Sequence, residues 1–263
     1  MLKHKQLFFF LLFSIATITA KAQAANIDSL RFIIKFNAEN AEKVNAYKAL
    51  ANAMLFKDFD ECQLLAVSGA ALAQKLKDFG SVAEFKKYTG LSWYFKGSYD
   101  SAAVYYYNAL DILKKTGAPL VKAGVLNELG KLYRKTRDLD RSLQMYDEAF
   151  TIYKKMNNES EMATILNESG VVYEYKEDYA EAIKRYKSSL AIREKLNDDV
   201  GKAYSFNFLG SVYTLQKKFV EAEKYLQQSL ELRKKLKDSF AIALGYSDLG
   251  YMYKEQGKFT KAA

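Results

Sequence analysis

Glycines stand at positions 90, 130, 170, 210 and 250, forty residues apart without slippage. Around them one phrase recurs: Leu126-Asn127-Glu128-Leu129-Gly130-Lys131-Leu132-Tyr133 returns, altered, as Leu166 to Tyr173, Phe206 to Tyr213 and Tyr246 to Tyr253, with a looser copy at Lys86 to Trp93. Leu126, Leu129, Gly130 and Tyr133 fall at i, i+3, i+4 and i+7, the spacing of one helix face. A glycine inside a helix costs roughly 1 kcal/mol relative to alanine. Five at one spacing therefore imply that each sits where another helix comes too close for a side chain. A strict period of this length marks a solenoid, which grows by adding repeats instead of enlarging one core. The expected class is all-α, and a single proline in 263 residues suits long helices joined by short links.

Each repeat reads as two helices. Helix A carries the glycine; a polar turn follows at Gly97-Ser98, Arg137-Asp138, Glu177-Asp178 and Lys217-Lys218. Helix B places a small residue twelve after the glycine position (Cys62, Ala102, Ser142, Ala182, Ala222), a larger one four further on (Tyr106, Tyr146, Tyr186, Leu226), and ends in basic residues such as Lys154-Lys155 and the run from Arg233. Those cations complement the negative end of the helix. The expected helix pairs cover about 39–77, 79–116, 119–157, 159–197 and 199–237, with an incomplete pair at 239–263. Pro119 opens one helix A, where proline is tolerated. The first pair is degenerate, with Leu50 at the glycine position, and a short amphipathic helix over 26–36 is expected to cap the array.

The first 24 residues read as an address. Lys3, His4 and Lys5 precede an apolar stretch from Leu7 to Ile18 and a small-x-small end at Ala22-Gln23-Ala24, the pattern of a cleaved secretory leader. The apolar stretch is short of the ~20 residues that span a bilayer, so the expected destination is the periplasm or cell surface. Losing the leader removes the only histidine and lowers the formal charge from +9 to +6. The remaining cations are balanced by acids, which excludes a nucleic-acid partner from the expected functions.

The same residue inventory leaves little room for catalysis. Without histidine, neither Ser–His nor Cys–His nucleophilic pairs nor histidine metal sites can be built. The lone Cys62 sits at a small-residue position and reads as a buried filler. No glycine-rich phosphate loop occurs, since the grid glycines lie within helices. No enzyme activity, cofactor, metal or small-molecule substrate is expected.

The run Leu126-x2-Leu129-Gly130-x2-Tyr133 followed by Ser142-x3-Tyr146, repeated with Leu166, Gly170, Tyr173, Ala182 and Tyr186, resembles the tetratricopeptide repeat from about residue 40 to the end. The period of forty and the missing closing proline depart from the usual 34-residue pattern. They resemble the longer repeats of kinesin light chains and of exported bacterial signalling proteins. The resemblance implies a right-handed α-solenoid, a tetratricopeptide superhelix, acting as a protein-interaction scaffold. It also implies that one face of helix A lines a concave groove for a protein or peptide partner.

In this chain that face carries Asn127, Lys131 and Arg134, then Asn167, Val171 and Glu174 with Tyr175 beside it, then Asn207, Ser211 and Thr214, then Ser247, Tyr251 and Lys254. An amide offers a donor and an acceptor together, so it can grip a peptide group whatever its side chain. Asparagine is a poor helix former, and three in register point to a groove role. The resemblance implies an alternative too: the extracytoplasmic sensory half of a larger bacterial receptor, with a membrane helix and a kinase or DNA-binding domain beyond residue 263. The Asp28-Ser29-Leu30 opening and the halt within a helix pair fit that expectation.

Overall fold

The computed structural model describes residues 20–262, with side chains over 26–261. Residues 1–19, most of the expected leader, lie outside the described residues. Among the described residues there are thirteen α-helices and no strand: α1(Ala20–Phe36), α2(Ala41–Met54), α3(Phe59–Lys75), α4(Phe79–Phe95), α5(Tyr99–Leu113), α6(Pro119–Lys135), α7(Leu139–Lys155), α8(Glu159–Tyr175), α9(Tyr179–Lys195), α10(Asp199–Leu215), α11(Phe219–Lys235), α12(Ser239–Glu255) and α13(Phe259–Ala262). The chain forms two compact units, Lys21–Asn157 and Asn158–Ala263. Each is a stack of antiparallel helix pairs of solenoid type. No helix among the described residues is long and apolar enough to cross a membrane.

The spacing of the helices comes from their links. A residue with positive φ recurs every twenty positions: Lys77, Gly97, Gly117, Arg137, Asn157, Glu177, Asn197, Lys217, Lys237 and Gly257. At most of these links the following N–H donates back to a carbonyl five residues earlier, as Asp138 N does to Tyr133 O and Asp178 N to Tyr173 O, both at 2.9 Å. This is the left-handed helix cap that satisfies orphan carbonyls. The same following residue then caps the next helix. Asp138 accepts from Arg141 N, Asp178 from Glu181 N and Asp238 from Ala241 N. One residue stops a helix and its neighbour starts another.

Across each pair, an aromatic ring fills the place where a helix-A side chain would be. A Cβ on Gly90 or Gly130 would stand 2.5 Å from Cε1 of Tyr106 or Tyr146, and one on Gly170 would enter the Tyr186 ring. Leu226 takes the same place over Gly210. These three tyrosines are fully buried. The expected close approach is thus to a knob on helix B, sixteen residues after each glycine. Small helix-B residues complete the contact, as Ser142 Oγ donates to Gly130 O at 2.7 Å.

Between successive pairs the same step of sixteen operates in the other direction. Phe85 of α4 lies against Gly69 of α3 in the first unit. In the second unit the corresponding residues are Ser189 and Ser205, whose Oγ atoms meet at 3.3 Å, and then Ser229 and Gly245. As the entering side chain shrinks, an arginine takes up the room: Arg193 over Gly201 and Arg233 over Gly245. Both arginines belong to the basic ends of α9 and α11, where they differ from the neighbouring lysines in being covered. They are buried, at 8% and 5% exposure, because a glycine on the next helix A leaves space for the guanidinium.

Glu177 carries a β-carbon in the left-handed region, which disfavours it by about 1–2 kcal/mol relative to the right-handed one. Glu177→Gly removes that strain while loosening the unfolded chain, for a net gain of roughly 0.5–1 kcal/mol. A higher thermal melting point is expected; an unchanged or lower one would contradict the assignment of this residue as a strained cap.

Candidate functional site

The helix-A face expected to line a groove is built differently in the two units. In the first, Lys131 Nζ pairs with Glu128 Oε1 at 3.0 Å, and the two side chains are less than one-fifth exposed. Arg134 is buried. Lys48 Nζ reaches Ser81 Oγ at 3.2 Å and Glu84 at 3.4 Å. At Gly124 the face is notched, since a Cβ there would meet nothing nearer than Lys87 Nζ at 3.8 Å and the Tyr153 hydroxyl at 3.9 Å. Asn127 is 7% exposed, and its Oδ1 has no hydrogen-bond partner.

In the second unit Asn167 is equally enclosed. Its Nδ2 donates to Ser205 Oγ at 3.4 Å, and its Oδ1 is also buried without a partner. Glu174 accepts from the Tyr186 hydroxyl at 2.6 Å, so the ring that fills the Gly170 gap also anchors a carboxylate on the helix-A face. Tyr175 and Ser211 are half-buried, and Tyr251 is exposed. Thr214 is buried, its hydroxyl donating to Gly210 O at 2.9 Å within its own helix.

Asn207 is placed otherwise. Its Oδ1 accepts from Arg233 Nη2 at 2.8 Å. Arg233 Nη1 also donates to Ala241 O at 3.1 Å and lies 3.7 Å from Asp248 Oδ2. Burial pushes the Asp248 carboxyl up to about 6, against the pull of the Arg233 charge.

The open face suggested by sequence therefore needs correcting. Asn127, Arg134, Asn167 and Thr214 lie beneath the surface, because adjoining helices cover that side of helix A. Of the three asparagines in register, two keep an unsatisfied acceptor and the third has its acceptor filled by Arg233. Sequence reasoning missed Arg233 and Asp248. Their available signal was Gly245, a glycine off the forty-residue grid. Of the remaining chemistry, Cys62 is fully buried, and burial pushes its thiol up to about 12, so it is no nucleophile at neutral pH. Among the described residues no cluster of three or more metal-ligating side chains occurs.

Family models described as tetratricopeptide repeat match residues 123–160, 161–235 and 200–263, together more than half of the sequence. The chain belongs to the tetratricopeptide repeat family. No curated protein matches the sequence. Solved tetratricopeptide-type structures share the fold at low identity. BtubC (BKLC) from P. vanneervenii is 22% identical, with a TM-score of 0.67 over 82% of this chain and 90% of that one. The nearly identical TPR-like repeats of a Podosopora anserina putative kinesin light chain are 16% identical, with a TM-score of 0.59 over 78% and 100%. In the Cut9–Hcn1 hetero-tetramer the matching chain is 16% identical, with a TM-score of 0.69 over 93% of this chain and 42% of that one.

The buried carboxyl gives this face a pH signature. A group whose folded pKa, about 6, lies above its unfolded value of 3.8 holds its proton more tightly when folded. Its contribution to stability is complete below about pH 4 and is lost as pH rises through about 6. Between those limits the wild type should lose roughly 2 kcal/mol relative to Asp248→Asn. Melting curves of the two proteins that stay parallel from acid to neutral pH would contradict the burial of this carboxyl.

Proposed function

We propose that the chain is a non-catalytic interaction scaffold whose helix-A faces hold extended peptide segments of a protein partner. Asn127 in the first unit and Asn167 in the second would each grip the backbone of a segment bound to its own unit. The observation that carries this reading is the pair of buried, unsatisfied amide oxygens at one register position. Leaving a buried acceptor unpaired costs about 1–3 kcal/mol. A peptide N–H that reached such an oxygen would recover that cost, and the weak 3.4 Å bond from Asn167 to Ser205 does little to oppose turning the amide outward.

Glu174 and Lys131, each already oriented by a neighbour, would select the charges of the bound segment. The likeness to Cut9–Hcn1, an assembly with a second protein, supports the general role. The export reading rests on residues 1–24 and puts the scaffold in the cell envelope; N-terminal sequencing of the mature protein tests it, with a start at Ala25 expected.

Peptides of about a dozen residues, selected from a random displayed library, serve as the probe whatever the natural partner is. Asn127→Ala and Asn167→Ala should each weaken the selected peptide by about threefold to tenfold, the worth of one hydrogen bond. Thermal melting should hold or rise, since each acceptor removed is buried without a partner. Unaltered affinity in both variants would contradict the assignment.

A further inference from the structure

We propose that the outward faces of α3 and α5 form a dimer interface in the first unit. Its occupant is a second copy of this chain, packed antiparallel across a two-fold axis.

These faces are apolar where the later repeats are polar. Leu64 and Val67 are 69% and 64% exposed on α3, and Val104 and Tyr107 stand exposed at the same positions of α5. Forty residues further on those positions hold Gln144 and Asp147, then Lys184 and Lys187, then Lys224 and Gln227. The core of the pair is served from the other side of α3, by Cys62, Ala66 and Leu72. Single exposed apolar residues are ordinary, whereas four at one register on successive helices B make a patch. Tyr107 is also held ready. Its hydroxyl shares a hydrogen bond with that of Tyr133, whose ring lies 4.5 Å from the Arg141 guanidinium. An aromatic ring fixed in advance loses little freedom on binding.

The face is complementary to itself. Along α3 the exposed residues Asp60, Leu64, Val67, Ala71 and Gln74 step by four and three, the spacing of a helix–helix seam. Laid antiparallel on itself about Val67, the seam sets Leu64 against Ala71, large against small. It also sets Asp60 at the acidic end against Lys75 at the basic end. Within one copy Asp60 pairs with Lys96 and Lys75 with Glu39, yet both side chains stay exposed and can take a second partner. The same axis lays α5 on α5, with Asp100 against Lys115 and Tyr107 at the centre. An isologous contact requires this, each residue meeting its complement on the other copy. The next helix B bounds the patch, because Asp147 and Glu148 at the centre of α7 would oppose acid to acid. At 17 residues α3 is about 25 Å long. Two such faces, each about 10 Å wide, cover roughly 500 Å² per copy, the low end for a specific interface. The dimer is therefore weak and reversible.

Sedimentation velocity of the full chain from about 2 to about 200 μM should show a monomer–dimer equilibrium with a Kd on the order of 10 to 100 μM. Leu64→Glu should stay monomeric throughout, with an unchanged melting temperature because the position is exposed. Asp60→Lys and Lys75→Glu should each weaken the dimer by about threefold or more, since each pair occurs twice. The double variant Asp60→Lys with Lys75→Glu restores both pairs and should return to within about twofold of the wild type. A wild type that stays monomeric to about 200 μM overturns the proposal and leaves the face to a different protein. A Leu64→Glu chain that dimerises as the wild type does overturns it as well. A double variant no better than either single one overturns the antiparallel register.

Discussion

A tyrosine ring seated where a helix has no side chain is the contact on which the structure depends. It occurs at Gly90 with Tyr106, Gly130 with Tyr146 and Gly170 with Tyr186, always sixteen residues apart. The contact is local in sequence, so each helix pair can set its own register without help from distant parts of the chain. It also removes alternatives. A hairpin slipped by one residue would drive a ring into a β-carbon, and a packed interior does not absorb such an overlap cheaply. Links of one length, each stopping and starting a helix within adjacent residues, keep the half-repeat at twenty and deliver every ring to its gap.

The same contact shapes the surface that varies. The opposite side of helix A takes no part in this contact, although Asn127, Arg134, Asn167 and Thr214 on it are covered. There the repeats diverge: Lys131 with Glu128 in one, Glu174 under the Tyr186 hydroxyl in another, Asn207 accepting from Arg233 in a third. Tyr186 joins the two roles, since its ring fills the gap and its oxygen holds a carboxylate in place. On the proposed reading, such a scaffold would change what it recognises by substituting helix-A residues while its packing stays intact.

Much of this was legible in the sequence. The glycine grid and the residues following it gave the helix pairs their class and family. The links were harder to read, because seven of the ten left-handed positions carry Lys, Arg, Asn or Glu in place of glycine. Their conformation is imposed by the capping bonds on either side, which outweigh local preference. The arginines mislead for a related reason. Arg193 and Arg233 lie in helix ends where exposed cations are favourable, and what turns them inward is a glycine on the next helix, Gly201 or Gly245. That the register asparagines lie beneath the surface was not legible either, since it depends on how far adjoining helices overlap a face that sequence spacing alone marks as polar.

The central claim is that the ring and the gap belong to each other, and a double-mutant cycle at Gly170 and Tyr186 tests it most directly. Gly170→Ala should destabilise the wild type by about 1–3 kcal/mol through overpacking and be neutral or stabilising once Tyr186→Ala has emptied the space. The expected coupling energy is above about 1 kcal/mol. Additive effects, with no coupling between the two positions, would contradict the claim.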